Sequence, residues 1–336
     1  MSDSLATLVE DKKFSNFTII HGYYKKVGDY DIRVDVLVPK KLSDGKRPVI
    51  TRFHGGCLVL GDSLFPDWFA GWLLDLAYKH SAIIVSPNYR LLPEATGLDI
   101  LDDVEDFWGW LHSSAFTDLL SKHCQPSNAI EVDLDRILTA GESAGGYLSI
   151  QLALSHPDEI RSATASYPML DIEAPHFSAK YEKNILGTPQ FPDNTVTDHV
   201  AKIEPGAVLT SATPPDRIPL MFAILQQGKF LELLQRGATS EADRKKLLPL
   251  KRIENNEAKL PPGGLFINHG TQDSVVPADG SEKFVRGIRD PMQGRVAAGN
   301  VTLSLQAGEH GHDAEANLDD EWLRDGLMGV VDFWLG

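Results

Sequence analysis

The chain has 336 residues, 42% of them hydrophobic and 24% charged, an ordinary globular balance that excludes disorder and coiled coil. Its 32 Lys and Arg against 47 Asp and Glu leave a formal net charge of -15, which opposes binding to nucleic acid or to an anionic membrane surface. Two cysteines, Cys57 and Cys124, exclude a disulfide-dense scaffold, and no segment offers the ~18 uninterrupted apolar residues of a membrane helix.

The amino terminus, Met1-Ser2-Asp3-Ser4, lacks the basic start and apolar stretch of a signal peptide, so a cytoplasmic location is expected. Residues 17–25 and 30–39 alternate apolar and polar side chains around Gly28-Asp29, which predicts an antiparallel pair at a sheet edge. The pattern then changes to short apolar runs at 48–53, 82–86, 137–140, 163–167, 265–269 and 301–305. Between them lie helix-compatible segments at 68–80, 102–113, 147–155, 281–289 and 320–335. Strand alternating with helix predicts an α/β fold with a mostly parallel sheet covered on both faces. Residues 172–262 break that rhythm. They are rich in Pro and polar residues, with helix-like pieces at 218–236 and 240–248, and are expected to be a lid inserted into a core formed by 1–171 and 263–336.

Gly141-Glu142-Ser143-Ala144-Gly145 follows one apolar run and opens a small-residue helix. A serine at such a junction sits on a sharp turn with its hydroxyl pointing out of the sheet, the position of a nucleophile. A serine hydroxyl is a weak nucleophile near neutral pH, so it needs a base to take its proton and an acid to orient that base. Asp273 leaves the sheet after the run 265–269, and His310 and His312 follow the run 301–305. Both histidines compete for the base; His310 is preferred because it lies nearer the strand end and is flanked by Gly311. Serine, acid and histidine in that chain order is the order of an α/β-hydrolase topology. The negative oxygen formed during attack needs backbone donors, and His54-Gly55-Gly56-Cys57 just after the run 48–53 supplies them. Gly55, Gly56 and Ala144 are the expected oxyanion residues, and His54 is expected to prop the loop. The His310-Gly311-His312-Asp313 tract also admits a metal reading, but no further ligand cluster accompanies it and no metal is expected. Phe65 and Trp68 are pocket candidates among the aromatics at 65–72, as are Met221, Phe222 and Phe230 in the inserted segment.

Together, His54-Gly55-Gly56, the stretch from Asn88 to Glu94, Gly141-Glu142-Ser143-Ala144-Gly145-Gly146, Asp273 and His310-Gly311 resemble the α/β-hydrolase superfamily. The resemblance is to its hormone-sensitive-lipase branch, which includes many microbial, plant and fungal carboxylesterases. It implies hydrolysis of a carboxylic ester or lactone through an acyl-serine intermediate, without cofactor, acting on a small-molecule ester and with the histidine before the glycine as base. Three positions depart from the branch's pattern: Cys57 replaces a glycine, Glu142 an aspartate and Leu92 an alanine. Arg90 is expected to pair with a carboxylate such as Asp103. Because some members of this branch are lyases or small-molecule receptors, those remain the alternative functions. The oligomeric state is not written in the sequence.

Overall fold

A computed structural model of the chain describes residues 11–123, 130–254, 258–289 and 300–336. Cys124 and the amino-terminal stretch read above for a signal peptide lie outside the described residues. Strands β1 (Phe17–Val27) and β2 (Tyr30–Pro39) form the expected hairpin, which joins β3 (Arg47–Phe53), β4 (Ile83–Pro87), β5 (Val132–Gly141), β6 (Ser162–Ser166), β7 (Leu265–Gly270) and β8 (Val301–Gln306). The eight strands pair in the order β1-β2-β4-β3-β5-β6-β7-β8. The contacts of β2 with β1 and β4 are antiparallel and the rest parallel.

The unbroken apolar runs reflect burial of both sheet faces. Neighbouring residues Val49 and Ile50, Ile83 and Ile84, and Ile137 and Leu138 point to opposite sides and join two different core clusters. One face is covered by α1 (Gly71–Lys79), the other by α2 (Gly97–Leu111), whose start is fixed by a reciprocal capping box between Thr96 and Asp99. Helix α3 (Ser114–His123) was not anticipated, because only Phe116 and Leu120 of its ten residues are buried and its apolar signal is correspondingly thin. Helix α4 (Ala144–Ser155) is buried on every side from Ala144 to Leu154, so its sequence carries no amphipathic stripe.

Between β6 and β7 the described chain forms short helices only: α5 (Pro175–Ser178), α6 (Thr195–Val200), α7 (Ile218–Gln226), α8 (Phe230–Leu234), α9 (Glu241–Leu247) and α10 (Pro249–Ile253). The single helical piece expected over 218–236 is therefore two helices. Gly228 separates them at φ 63, where an added Cβ would lie 2.3 Å from the Ala179 carbonyl carbon. Arg217 anchors the start of α7 by donating to both Glu94 carboxylate oxygens, at 2.9 and 2.8 Å, and to the Leu92 carbonyl. Farther back, Gly61 and Ala212 exchange backbone hydrogen bonds and the Ser211 hydroxyl donates to buried Asp62. Helices α11 (Asp279–Arg289) and α12 (Glu321–Leu335) complete the layers. Arg90 does pair with Asp103, which also receives Lys25.

Candidate active site

Each sequence-predicted site residue lies at the carboxyl end of a parallel strand, the edge at which open α/β sheets hold their ligands. Ser143 occupies the turn from β5 to α4 with φ 56 and ψ -117. A non-glycine residue in that region is strained, and the surroundings over-determine it. The Ser143 amide donates to the Ser166 carbonyl at 2.9 Å, the Gly145 amide to Glu142 at 2.8 Å and the Tyr147 amide to Ser143 at 3.1 Å. The glycine at 145 is required by close approach, since a Cβ there would sit 1.9 Å from the Phe53 carbonyl oxygen of β3.

The oxyanion loop leaves β3 directly beside this turn. A Cβ on Gly55 would lie 3.5 Å from that of Ser143, and Gly56 has φ 109 with the Leu60 carbonyl oxygen 2.0 Å from where its Cβ would be. The amides of Gly55, Gly56 and Ala144 donate to no acceptor among the described residues, so all three remain free for a ligand oxygen. His54 props the loop as expected. Its ring stacks on Tyr89 with centroids 4.3 Å apart, its Nδ1 bonds the Gly55 carbonyl, and the Tyr89 hydroxyl donates to the His54 carbonyl. Burial pushes its pKa down to about 4, which keeps it neutral.

On the far side, His310 Nδ1 lies 2.7 Å from Asp273 Oδ2. With the proton of that bond on Nδ1, Nε2 is left with its lone pair, the form a general base needs. The other Asp273 oxygen accepts from the Val275 and Val276 amides at 2.9 and 2.8 Å. Burial alone would raise the Asp273 carboxyl, yet hydrogen bonds from His269 and His310, the His310 charge and the Val276 amide hold it well below the usual carboxylate range. His269 itself is fixed between the Ser281 hydroxyl and the Val276 carbonyl.

The two histidines are packed differently. His312 makes no hydrogen bond to Asp273; its ring centroid lies 5.8 Å from those of Tyr167 and Trp322, and neither of its nitrogens has a partner among the described residues. The Tyr167 ring meets the His310 ring edge-on at 4.5 Å.

Ser143, His310, Gly55 and Gly56 line one cavity of about 500 Å³. Trp68, Met221 and Phe222 line it as anticipated. Phe230 does not; it is fully buried against Phe177, because α8 packs on α5 and α2. Phe65 stacks edge-on against Trp68 outside the lining. Cys57 lines the cavity in a left-handed conformation, φ 52, where the resemblance calls for glycine, and burial lifts its thiol to about 12.

Three supporting residues escaped the sequence reading. Arg52, fully buried, donates to Glu142 at 2.9 Å and to the Ser63 and Trp68 carbonyls, with its guanidinium 3.9 Å above the Phe69 ring. The extra methylene of glutamate over aspartate is used to reach that guanidinium across the back of the serine turn. Asp313 accepts from the Trp72 indole and the Ser166 hydroxyl. Glu309 places one carboxylate oxygen on two amides, Ser274 at 2.5 Å and His310 at 2.8 Å, so it ties the acid loop to the base loop. Long-range pairing of this kind leaves no short sequence motif, although a carboxylate beside a candidate base was a signal available to a closer reading.

Residues 50–205 match the model of a family described as having an alpha/beta hydrolase fold. A probable carboxylesterase, M8, from Phoma sp. is 34% identical over 334 residues, covering 96% of this chain and 98% of its own. The chain belongs to the α/β-hydrolase family. A second relative, the probable carboxylesterase clz11 of Cochliobolus lunatus, is 38% identical over 216 residues, 62% of this chain and 92% of its own. Among solved structures, esterase B from Lactobacillus rhamnosis superposes with a TM-score of 0.61 over 99% of this chain and 90% of that one; at 15% identity the likeness is one of fold. Among the described residues no helix is long and apolar enough to cross a membrane.

Proposed function

We propose that the protein is a serine hydrolase of carboxylic esters in which Ser143 is the nucleophile, His310 the general base and Asp273 the residue that orients and balances the imidazolium. Full-length similarity to a probable carboxylesterase supports the reaction class. The observation that carries the residue assignment is the 2.7 Å contact between His310 Nδ1 and Asp273 Oδ2 at the edge of a cavity that also holds Ser143. His310 Nε2 takes the Ser143 proton as the hydroxyl oxygen attacks the ester carbonyl. The tetrahedral oxygen is received by the amides of Gly55, Gly56 and Ala144, each such donor contributing ~3 to 4 kcal/mol to the transition state. The imidazolium then gives its proton to the departing alcohol, and water, activated by the same nitrogen, releases the acid from Ser143.

The segment 172–262 acts as a lid whose α7 supplies the apolar wall through Ile218, Met221 and Phe222. It is fastened to the acid loop by two bonds, His176 Nε2 to the Val275 carbonyl and the Leu186 amide to the Ser274 hydroxyl. A cytoplasmic location remains part of this reading. Labelling by a fluorophosphonate probe together with turnover of short p-nitrophenyl esters tests it. Binding of small molecules with neither labelling nor turnover would favour a receptor, and labelling without turnover of any ester a lyase or other non-hydrolytic catalyst.

A further inference from the structure

The cavity beside Ser143 has two unlike walls. One is apolar, built from Leu186, Ile218, Met221, Phe222 and Val275. The other is charged and carries Lys13, Asp67, Glu142, Asp313 and Glu315. Lys13, half-buried at the second wall, would lose hydration without return beside a purely aliphatic arm.

On that wall two of the four carboxylates are already engaged. Glu142 is held by Arg52, and Asp313 by Trp72 and Ser166. Asp67 and Glu315 are exposed to solvent, and Lys13 is the cation among them. It sits in the 3-10 turn Lys12–Phe14, half-buried, and its ammonium donates to the Pro66 carbonyl at 2.7 Å but forms no ion pair among the described residues. An ammonium has three donors, so two remain. Burial and the nearby Arg52 charge hold its pKa below the usual lysine value, against the opposing pull of Asp67, Glu142 and Asp11.

We propose that Lys13 forms a polar subsite of the cavity that donates a hydrogen bond to a neutral oxygen, a carbonyl, ether or hydroxyl, on the arm of the ester lying away from the apolar wall. The inference rests on the serine-esterase reading and names the substrate class for it: esters with one hydrocarbon arm and one oxygen-bearing arm. A neutral oxygen is favoured over a carboxylate because Asp67, Asp313 and Glu315 share the wall, and with Arg52 committed to Glu142 the balance there is negative. A substrate carboxylate would meet that repulsion in a site of reduced dielectric. A volume of about 500 Å³ accommodates both arms of a medium-sized ester.

The test uses the full chain and two matched ester pairs. In 2-(2-methoxyethoxy)ethyl butanoate against heptyl butanoate the oxygen lies in the alcohol arm. In p-nitrophenyl 4-oxopentanoate against p-nitrophenyl pentanoate it lies in the acyl arm. In Lys13→Met the oxygen-bearing member of one pair should lose about 10-fold in kcat/KM through KM, with its hydrocarbon partner changed less than about twofold; the pair that moves identifies the arm. Lys13→Gln, which keeps an N–H donor, should recover much of that loss and also serves if the Met variant unfolds. The parent enzyme should prefer the 4-oxopentanoate to p-nitrophenyl hydrogen glutarate. Ratios unmoved in both pairs, an equal loss on the hydrocarbon partners, or a Lys13-dependent preference for the glutarate would overturn the subsite while leaving the esterase reading intact. Absence of both ester turnover and fluorophosphonate labelling in the parent would overturn both.

Discussion

The rim of the sheet and the segment inserted between β6 and β7 meet at the same cavity, but they are built by different physics. At the rim, the groups that position the reacting side chains are themselves held by hydrogen bonds. Asp273 is bonded through both oxygens, Glu309 closes two loops with one oxygen, and the serine turn is fixed by three backbone hydrogen bonds. The insertion is a set of short helices that present apolar side chains to the cavity and are tied to the sheet domain all along their length, by Arg217 to Glu94, Arg236 to the Pro93 and Ala95 carbonyls, Gln151 to the Lys246 carbonyl and His176 to the Val275 carbonyl. Chemistry needs atoms held to within a fraction of an ångström, whereas selection among apolar chains needs only shape and area. Substitutions at the rim should therefore act on kcat, and substitutions in the insertion on KM and chain-length preference.

The largest break in that comparison is expected from Ser143→Ala, which should lower kcat by about 10⁴- to 10⁶-fold and abolish fluorophosphonate labelling, read by burst kinetics and intact-protein mass. Asp273→Asn leaves the shape but supplies the wrong hydrogen-bonding group to His310, so a loss of about 10³- to 10⁴-fold in kcat with little change in KM is expected. The matched control is His312→Asn, which should retain kcat within about tenfold. A collapse there equal to that of His310→Ala would reassign the base.

Glu309→Ala frees the acid and base loops from each other and should cost about 10- to 100-fold in kcat at unchanged KM. Glu309→Gln keeps an acceptor oxygen and should retain most activity. Faster amide exchange at Ser274 and His310 in the alanine variant alone would locate the cause. In the insertion, Phe222→Ala should leave kcat on acetyl esters nearly unchanged and shift the optimum toward longer or bulkier acyl groups by about 10-fold in kcat/KM, measured across a p-nitrophenyl ester series.

The smallest effect at neutral pH concerns His54. Its folded pKa, about 4, lies below the ordinary value of 6.5, so between those limits the unfolded chain binds the proton and the folded one does not. Its contribution is fully present above pH 6.5 and is lost as the pH falls toward 4. Urea midpoints should drop over that window and drop less in His54→Asn; equal slopes would mean that other groups carry the acid sensitivity.

Much of the rim was legible because short motifs there encode backbone requirements. Gly145 has no room for a side chain, Ser143 must follow a strand and open a helix, and the strands themselves read as apolar runs because both faces are covered. The insertion was poorly legible for the opposite reason. Its helices are short, α7 is buried over most of its surface, and the break at Gly228 answers to the Ala179 backbone more than 40 residues away. Phe230 illustrates the cost: apolar and near pocket residues in sequence, it lies in the core because α8 packs on α5 and α2.

What the amino-acid sequence determined by itself was the type of fold, the order of strands and helices, and the residue types able to carry acyl transfer, since periodicity and turn chemistry are local properties. Which histidine meets Asp273, how Arg52 and Glu142 brace the serine turn, and which face of the cavity carries Lys13 were decided by the tertiary structure alone. Those are distances between residues far apart along the chain, and they exist only once the sheet has brought its strand ends to one edge.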